Sequence, residues 1–331
     1  VEKQQPDLVA FARTQTNDGN ERRMGIEIEF ACLTLDDVAD ITANLLNGTV
    51  ESKGRYERQI EGDDAGEWVI ELDFQLLKKM GRKDYPEKSF ESELMASAEQ
   101  GLAWLSESLV PVEVVTPPLP LSRASEVEQL ISKLRNAGAK GTGDSIAYAF
   151  GMQLNPELPD LSSETITAYL KAFLCLYEWL FEQADLDFSR RMTNYIDPFP
   201  KRYVKKVTSP DYWPDQDQLI ADYLKDNPTR NRALDLLPLF RHLDESSVEN
   251  LPEISLIKAR PTLHYRLPDC HIDQEDWGLH TVWNQWAQVE QLAADRERLN
   301  ACCEDYQHYV NKAFAGWTKD WLRQVHAKWL T

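Results

Sequence analysis

Five short stretches of the chain alternate apolar and polar residues with a period of two, the signature of strands buried on one face. They are 24–32 (MGIEIEFAC), 67–74 (EWVIELDF), 112–116 (VEVVT), 146–154 (IAYAFGMQL) and 259–267 (ARPTLHYRL). Pro261 lies inside the last and predicts a strand edge or a late strand start, because proline brings no N–H to a ladder. Helical periodicity marks 36–46, 89–108 and 123–137, the last closed by Gly138, a plausible helix stop. A helix-rich block follows at 162–185, 215–226 and 229–243, and 275–330 is almost wholly helical in pattern. Strands spaced by hairpin-like loops and helices, without a βαβ cadence, predict an α+β fold with a mostly antiparallel sheet. Residues 1–21 read as a polar leader with an Asn17-Asp18-Gly19-Asn20 turn. Residues 22–274 read as one domain with a helical insertion at about 162–243, and 275–331 as C-terminal helices packed on it.

The faces of these strands carry the chemistry. Ile26, Ile28 and Phe30 point one way, Glu27 and Glu29 the other. Trp68, Ile70, Leu72 and Phe74 oppose Glu67, Glu71 and Asp73, while Val112 and Val114 oppose Glu113. In the fourth stretch the bulky Ile146, Tyr148, Phe150, Met152 and Leu154 leave Ala147, Ala149, Gly151 and Gln153 on a small, open face. In the fifth, Leu263, Tyr265 and Leu267 oppose Arg260, Thr262, His264 and Arg266. One face of the sheet thus awaits helices, and the other is acidic, then small, then basic. A solvated face normally mixes signs, since like charges directly opposite one another are destabilising. Here the first three strands place six carboxylates, from poor strand-forming residues, with no Lys or Arg among them. Such a cluster is tolerable around a divalent cation, and hard ions such as Mg²⁺ take oxygen ligands. The pattern favours a metal–nucleotide site on an open sheet.

Charge and cysteine content then narrow the class. Lys and Arg number 36 against 55 Asp and Glu, a formal net charge of −19 that argues against nucleic acid or an anionic membrane as the main partner. Five Cys without a CxxC pattern rule out a disulfide framework and a thiolate zinc site, and Cys302-Cys303 read as buried thiols. No run approaches the ~18 apolar residues of a membrane span. The opening residues show neither an apolar signal core nor an Arg-rich transit pattern, so a cytoplasmic location is expected. His242, His271, His280, His308 and His326 lack metal spacing, and Trp277, Trp283, Trp286, Trp317 and Trp321 read as helix packing. Gly138–Asp144 lacks the GxxxxGK[ST] order of a phosphate loop and reads as a turn.

Gly25-Ile26-Glu27-Ile28-Glu29-Phe30 resembles the GxExE opening strand of the amidoligases, within the glutamate–cysteine ligase and glutamine-synthetase-like carboxylate–amine ligases. Trp68-Val69-Ile70-Glu71-Leu72-Asp73 is similar to their second strand, and Val112-Glu113-Val114-Val115-Thr116-Pro117-Pro118-Leu119 resembles their E-L-V-S-P-x-L strand, the most specific match. Gly151-Met152-Gln153-Leu154-Asn155 occupies the place where relatives often carry His-x-His. Thr262-Leu263-His264-Tyr265-Arg266-Leu267 resembles a late E-x-R strand. The resemblance covers about 22–270 through short motifs.

It implies a glutamine-synthetase-like, mostly antiparallel sheet with helices on one face and an open active-site face. It also implies that Glu27, Glu29 and Glu113 hold Mg²⁺ around ATP phosphates with Asp73 nearby, that Glu113 and Arg266 are catalytic, and that Arg266 contacts the transferring phosphoryl group. Gln153 then takes a cofactor-binding place. The departures are Gln153 and Asn155 for the imidazoles and His264 for the usual acid, so one metal position is lost or rebuilt from Glu67 or Glu71. Among the Arg-rich pieces of the helical block, Arg190 and Lys201 read as surface ion pairs. Arg230 and Arg232 are candidates for binding a carboxylate or phosphate.

The implied reaction is ATP-dependent amide formation through an acyl phosphate, catalysed by positioning and electrostatics. It needs no nucleophilic Ser or Cys, and no GxSxG occurs. Expected substrates are a small-molecule or peptide carboxylate and an amine, with a protein partner or a second copy left open. Two other readings compete: a guanidino-type phosphotransferase, and a decayed ligase fold serving as an interaction protein through its Trp-rich helical tail.

Overall fold

Alternation in the first stretch produces β1 (Arg23–Phe30), whose Ile26, Ile28 and Phe30 are buried. The structure is a computed structural model that describes residues 7–72, 111–142, 150–184, 197–252, 254–311 and 317–331. The expected helix 89–108, Asp73, Arg190, the start of the 146–154 strand and the end of the Gly138–Asp144 turn lie outside the described residues. β1 pairs antiparallel with β5 (Val112–Val115) on one side and β7 (Met152–Pro156) on the other. Beyond β5 come β4 (Trp68–Leu72), β3 (Glu57–Glu61) and β2 (Thr49–Ser52); beyond β7 come β9 (His264–Tyr265) and β8 (Leu234–Asp235). The two-residue β6 (Leu119–Pro120) pairs with the start of β1. All these pairings are antiparallel, and the path does not close into a barrel.

Three departures from the sequence pattern have physical reasons. The β2–β3 hairpin was not expected because only Ile60 in it is buried, leaving no apolar alternation to see. The stretch 229–243 is not one helix. Leu234–Asp235 joins the sheet beside His264–Tyr265, and the helix begins only at Leu237, where Pro238 fits the first turn. The last strand shrinks to His264–Tyr265: Pro261 delays its start, and isolated bonds from Leu263 N to Pro156 O and Arg266 N to Ala233 O extend it.

Helices cover the apolar face. α1 (Leu35–Leu46) opens with a capping box between Thr34 and Asp37, satisfying two N-terminal donors. α2 (Ala124–Ala137) stops at Gly138, which takes φ +107°. α3 (Ser163–Gln183), α4 (Lys201–Val207), α5 (Gln216–Asp226) and α6 (Leu237–Leu243) follow, then α7 (Leu279–Ala293), α8 (Arg296–Val310) and α9 (Trp317–Gln324). α3 is apolar almost all round, as befits a helix with neighbours on every side. Phe173 of α3 and Trp286 of α7 both pack on Tyr265, with centroids 5.9 and 5.1 Å away. No described helix is long and apolar enough to cross a membrane.

Residues 7–21 run against α7. Phe11 stacks on Trp283 at 4.4 Å, Asn284 accepts from Val9 N, and Trp283 Nε1 donates to Val9 O. Beside this strap Arg22 and Glu290 form a fully buried pair. Arg22 donates to both Glu290 oxygens at 2.9 and 2.8 Å, Trp286 Nε1 adds a third bond at 3.0 Å, and Tyr169 OH a fourth. Trp277, Trp283, Trp286, Trp321 and Trp329 are all buried, and the side chain of Trp317 lies outside the described residues.

Candidate active site

Strand register brings carboxylates side by side. Glu113 of β5 lies directly between Glu29 of β1 and Glu71 of β4, and Glu71 in turn faces Glu57 of β3. Directly opposed antiparallel residues share a face, so four strands contribute one row of glutamates. Glu27 sits two residues from Glu29 on the same face and pairs with Gln153 of β7. Gln153, Asn155, His264 and Arg266 continue that face across β7 and β9, and Asp235 joins it opposite His264. Glu67 precedes β4 and is exposed, away from the row.

This face is not a solvated surface. Glu29, Gln153, Asn155, Asp235, His264 and Arg266 are all buried, and Glu27, Glu71 and Glu113 are half-buried. Burial of polar groups at this density demands partners, and they are present. Glu29 Oε2 accepts from Gly151 N at 2.9 Å and Oε1 from Gln153 Nε2 at 2.8 Å. Gln153 Oε1 lies 2.7 Å from His264 Nε2. Glu27 Oε1 accepts from Asn155 Nδ2 at 2.8 Å, and Asn155 Oδ1 accepts from Arg260 Nη2 at 2.7 Å. Gly25 faces Asn155 across the strands, and a Cβ there would touch Asn155 Cβ at 3.4 Å.

The basic end is a bank of guanidinium groups. Burial above all, then Arg266, Arg260 and Arg230, hold the His264 imidazole well below its ordinary pKa, so it is neutral at physiological pH. Burial pushes the Asp235 carboxyl up to about 6, against Leu237 N–H and the same three arginines, which favour its charged form. His264 Nδ1 lies 3.9 Å from Asp235 Oδ2. Arg266 also donates to the Arg230 carbonyl, tying the bank to the loop before β8. Arg232 does not join it. Its Nη1 donates to Pro198 O at 2.6 Å, its Nη2 to Asp226 O at 3.2 Å, and its guanidinium lies over Phe199.

Of the residues singled out from sequence, the fold therefore gathers Glu27, Glu29, Glu113, Gln153, Arg230 and Arg266, and sets Arg232 apart. Asp235 is an addition, and Arg260, read from sequence only as part of the basic face, takes its place beside Asn155. Asp235 escaped notice inside a helical-looking run, although prolines at 228 and 238 bracket its short apolar segment and could have marked a buried strand. Among the described residues, no three His, Cys, Asp or Glu side chains converge as a ready metal cage. A separate cleft of about 610 Å³, lined by Arg23, Asp63, Arg123 and Glu126 among others, includes none of the polar-face residues.

An open antiparallel sheet with helices on its apolar face, and carboxylates grading into guanidinium groups on the other, defines a mixed α+β class with a charged, sheet-borne site. The family model described as "Putative amidoligase enzyme" matches residues 20–288, and the chain belongs to that family. Searches of curated proteins and of solved structures returned no match.

Proposed function

We propose that the protein is an ATP- and Mg²⁺-dependent carboxylate–amine ligase. The observation that carries this reading is the register Glu71–Glu113–Glu29, which sets three carboxylates side by side on one face, next to the Arg230, Arg260 and Arg266 bank. The donor set fits Mg²⁺. That ion keeps several waters and takes only one or two carboxylates directly, so a closed protein cage is not required. Glu27, Glu29 and Glu113 would hold it, directly or through its waters, and when bound it would neutralise phosphate oxygens. In the reaction the substrate carboxylate attacks the γ-phosphorus of ATP and the bond to ADP breaks. The amine nitrogen then attacks the acyl carbon, phosphate leaves, and the nitrogen gives up a proton. Arg266 faces the charge that develops on the transferring group, and half-burial of the row strengthens each electrostatic contact.

The test is thermal stability with a non-hydrolysable ATP analogue, with and without Mg²⁺. Saturation at about 100 times Kd adds roughly 2.7 kcal/mol. The near-isosteric pair Glu27→Gln and Glu29→Gln is expected to remain folded and lose the Mg²⁺-dependent part. An undiminished gain would reject the assignment of the cation. Phosphate release matched by amine consumption distinguishes a ligase from a guanidino-type phosphotransferase.

A further inference from the structure

Two side-chain amides stand between the basic bank and the carboxylates, and their orientation is determined. A carboxylate only accepts, so Gln153 must turn its NH₂ to Glu29 and its carbonyl oxygen to His264; His264 Nε2 therefore carries the proton. By the same logic Asn155 donates to Glu27 and accepts from Arg260. Both chains run donor to acceptor in one direction, from the basic bank to the acidic row.

We propose that Gln153 and Asn155 are positioning residues whose amides relay hydrogen bonds from His264 and Arg260 to Glu29 and Glu27, holding the two carboxylates in orientation at the cation site. The inference rests on the cation site proposed above and assigns Gln153 to the carboxylate rather than to nucleotide. Arg260 Nη2 is 3.9 Å from Glu27 Oε1, beyond hydrogen-bond reach, and Asn155 occupies the route between them. A guanidinium bound directly to Glu27 could claim both oxygens in a fork and neutralise it. At 3.9 Å Arg260 still pairs with the Glu27 charge, while the interposed amide orients the carboxylate through a hydrogen bond. On Glu29, Gly151 N donates to Oε2 and Gln153 Nε2 to Oε1, so both oxygens are held in place. His264 donates one hydrogen bond to the Gln153 carbonyl oxygen, from Nε2 at 2.7 Å.

Mn²⁺ alone, titrated into the full chain and followed by electron paramagnetic resonance, tests the relay without nucleotide or turnover. Gln153→Met and Asn155→Leu should each weaken Mn²⁺ binding about tenfold, the scale of lost outer-shell support. In a Glu29→Gln background, Gln153→Met should cost nothing more, because it acts through Glu29. A metal-independent readout is the ¹⁵N spectrum of the His264 ring, identified by its loss in His264→Phe. It should show the Nε2–H tautomer in the wild type and lose that preference in Gln153→Met. If Gln153→Met fails to fold, His264→Phe interrupts the same relay from its far end and should weaken Mn²⁺ similarly. An unchanged tautomer, or additive losses with Glu29→Gln, would overturn the relay while leaving the cation site standing. Unchanged Mn²⁺ affinity in both Glu27→Gln and Glu29→Gln would instead remove the cation site, and with it the relay's role.

Discussion

Replacing Glu290 with alanine probes a fully buried charge. Glu290 and Arg22 are 0% and 1% exposed, so neither ion has solvent to fall back on. The carboxylate accepts four bonds: two from Arg22, one from Trp286 and one from Tyr169. Arg22 keeps three others, from Nε and Nη2 to Glu157 O and from Nη1 to Arg13 O, so its hydrogen bonds survive better than its charge balance. Breaking a buried pair from one side costs about 3–5 kcal/mol. The orphaned phenol and indole donors, at about 1–3 kcal/mol each if unpaired, push the expectation to the upper part of that range, about 4–5 kcal/mol. With a urea slope of about 3 kcal/mol/M, that moves the unfolding midpoint down by roughly 1.5 M. Arg22→Met should cost a similar amount. Combined with Glu290→Leu, it removes both charges, and the double variant should fall short of the summed losses by at least about 2 kcal/mol. Urea unfolding followed by tryptophan fluorescence measures Glu290→Ala, both singles of the cycle (Arg22→Met and Glu290→Leu) and the double variant. A Glu290→Ala loss below about 1 kcal/mol, or strict additivity, would refute the reasoning.

Three further outcomes are expected. Glu113→Ala should lower turnover far more than it lowers the melting temperature, since Glu113 sits between Glu29 and Glu71 and its loss relieves like-charge crowding; parallel losses in a melt and an ATP-consumption assay would make it structural. Arg266→Ala should slow single-turnover phosphate release ~10³-fold, and Arg266→Lys should recover only part of that because it lacks the fork; an unchanged chemical step in both would reduce Arg266 to binding. Asp63, held down to about 2 from 3.8 chiefly by Arg123, contributes stability that is fully present above its unfolded pKa and is lost as pH falls from about 4 through about 2. Acid titration of stability should therefore be shallower over that window in Asp63→Asn.

The central strands were legible because one face is wholly apolar. Ile26, Ile28 and Phe30, then Trp68 and Ile70, then Val112 and Val114 alternate with carboxylates, and that alternation survives into the fold. The glutamate row was legible as composition on each strand, but its register was not, because pairing Glu29 with Glu113 depends on contacts some 84 residues apart. The edges were opaque for opposite reasons. The β2–β3 hairpin is too polar to show a period, and Leu234–Asp235 is too short to show one inside a helical neighbourhood. The docking of the N-terminal stretch was not legible, because the partner of Phe11, Trp283, is far along the chain. The identities of Gln153, Asn155 and His264 were plain, while their linkage through two directed hydrogen-bond chains is a property of three dimensions.

The Arg22–Glu290 pair also has a meaning in time. Its members are 268 residues apart, and Arg22 immediately precedes β1, the strand on which most of the sheet is assembled. A chain growing from the ribosome exposes Arg22 early, yet the only side-chain anion that Arg22 binds among the described residues arrives with α7, after every described strand. Desolvating an arginine before its counterion exists is unfavourable by several kcal/mol, so the strap of residues 7–22 is expected to stay undocked until synthesis has passed residue 290. Nascent chains arrested before that point should be cut readily near Arg13 and Arg22 by trypsin, and those arrested well beyond it should be protected.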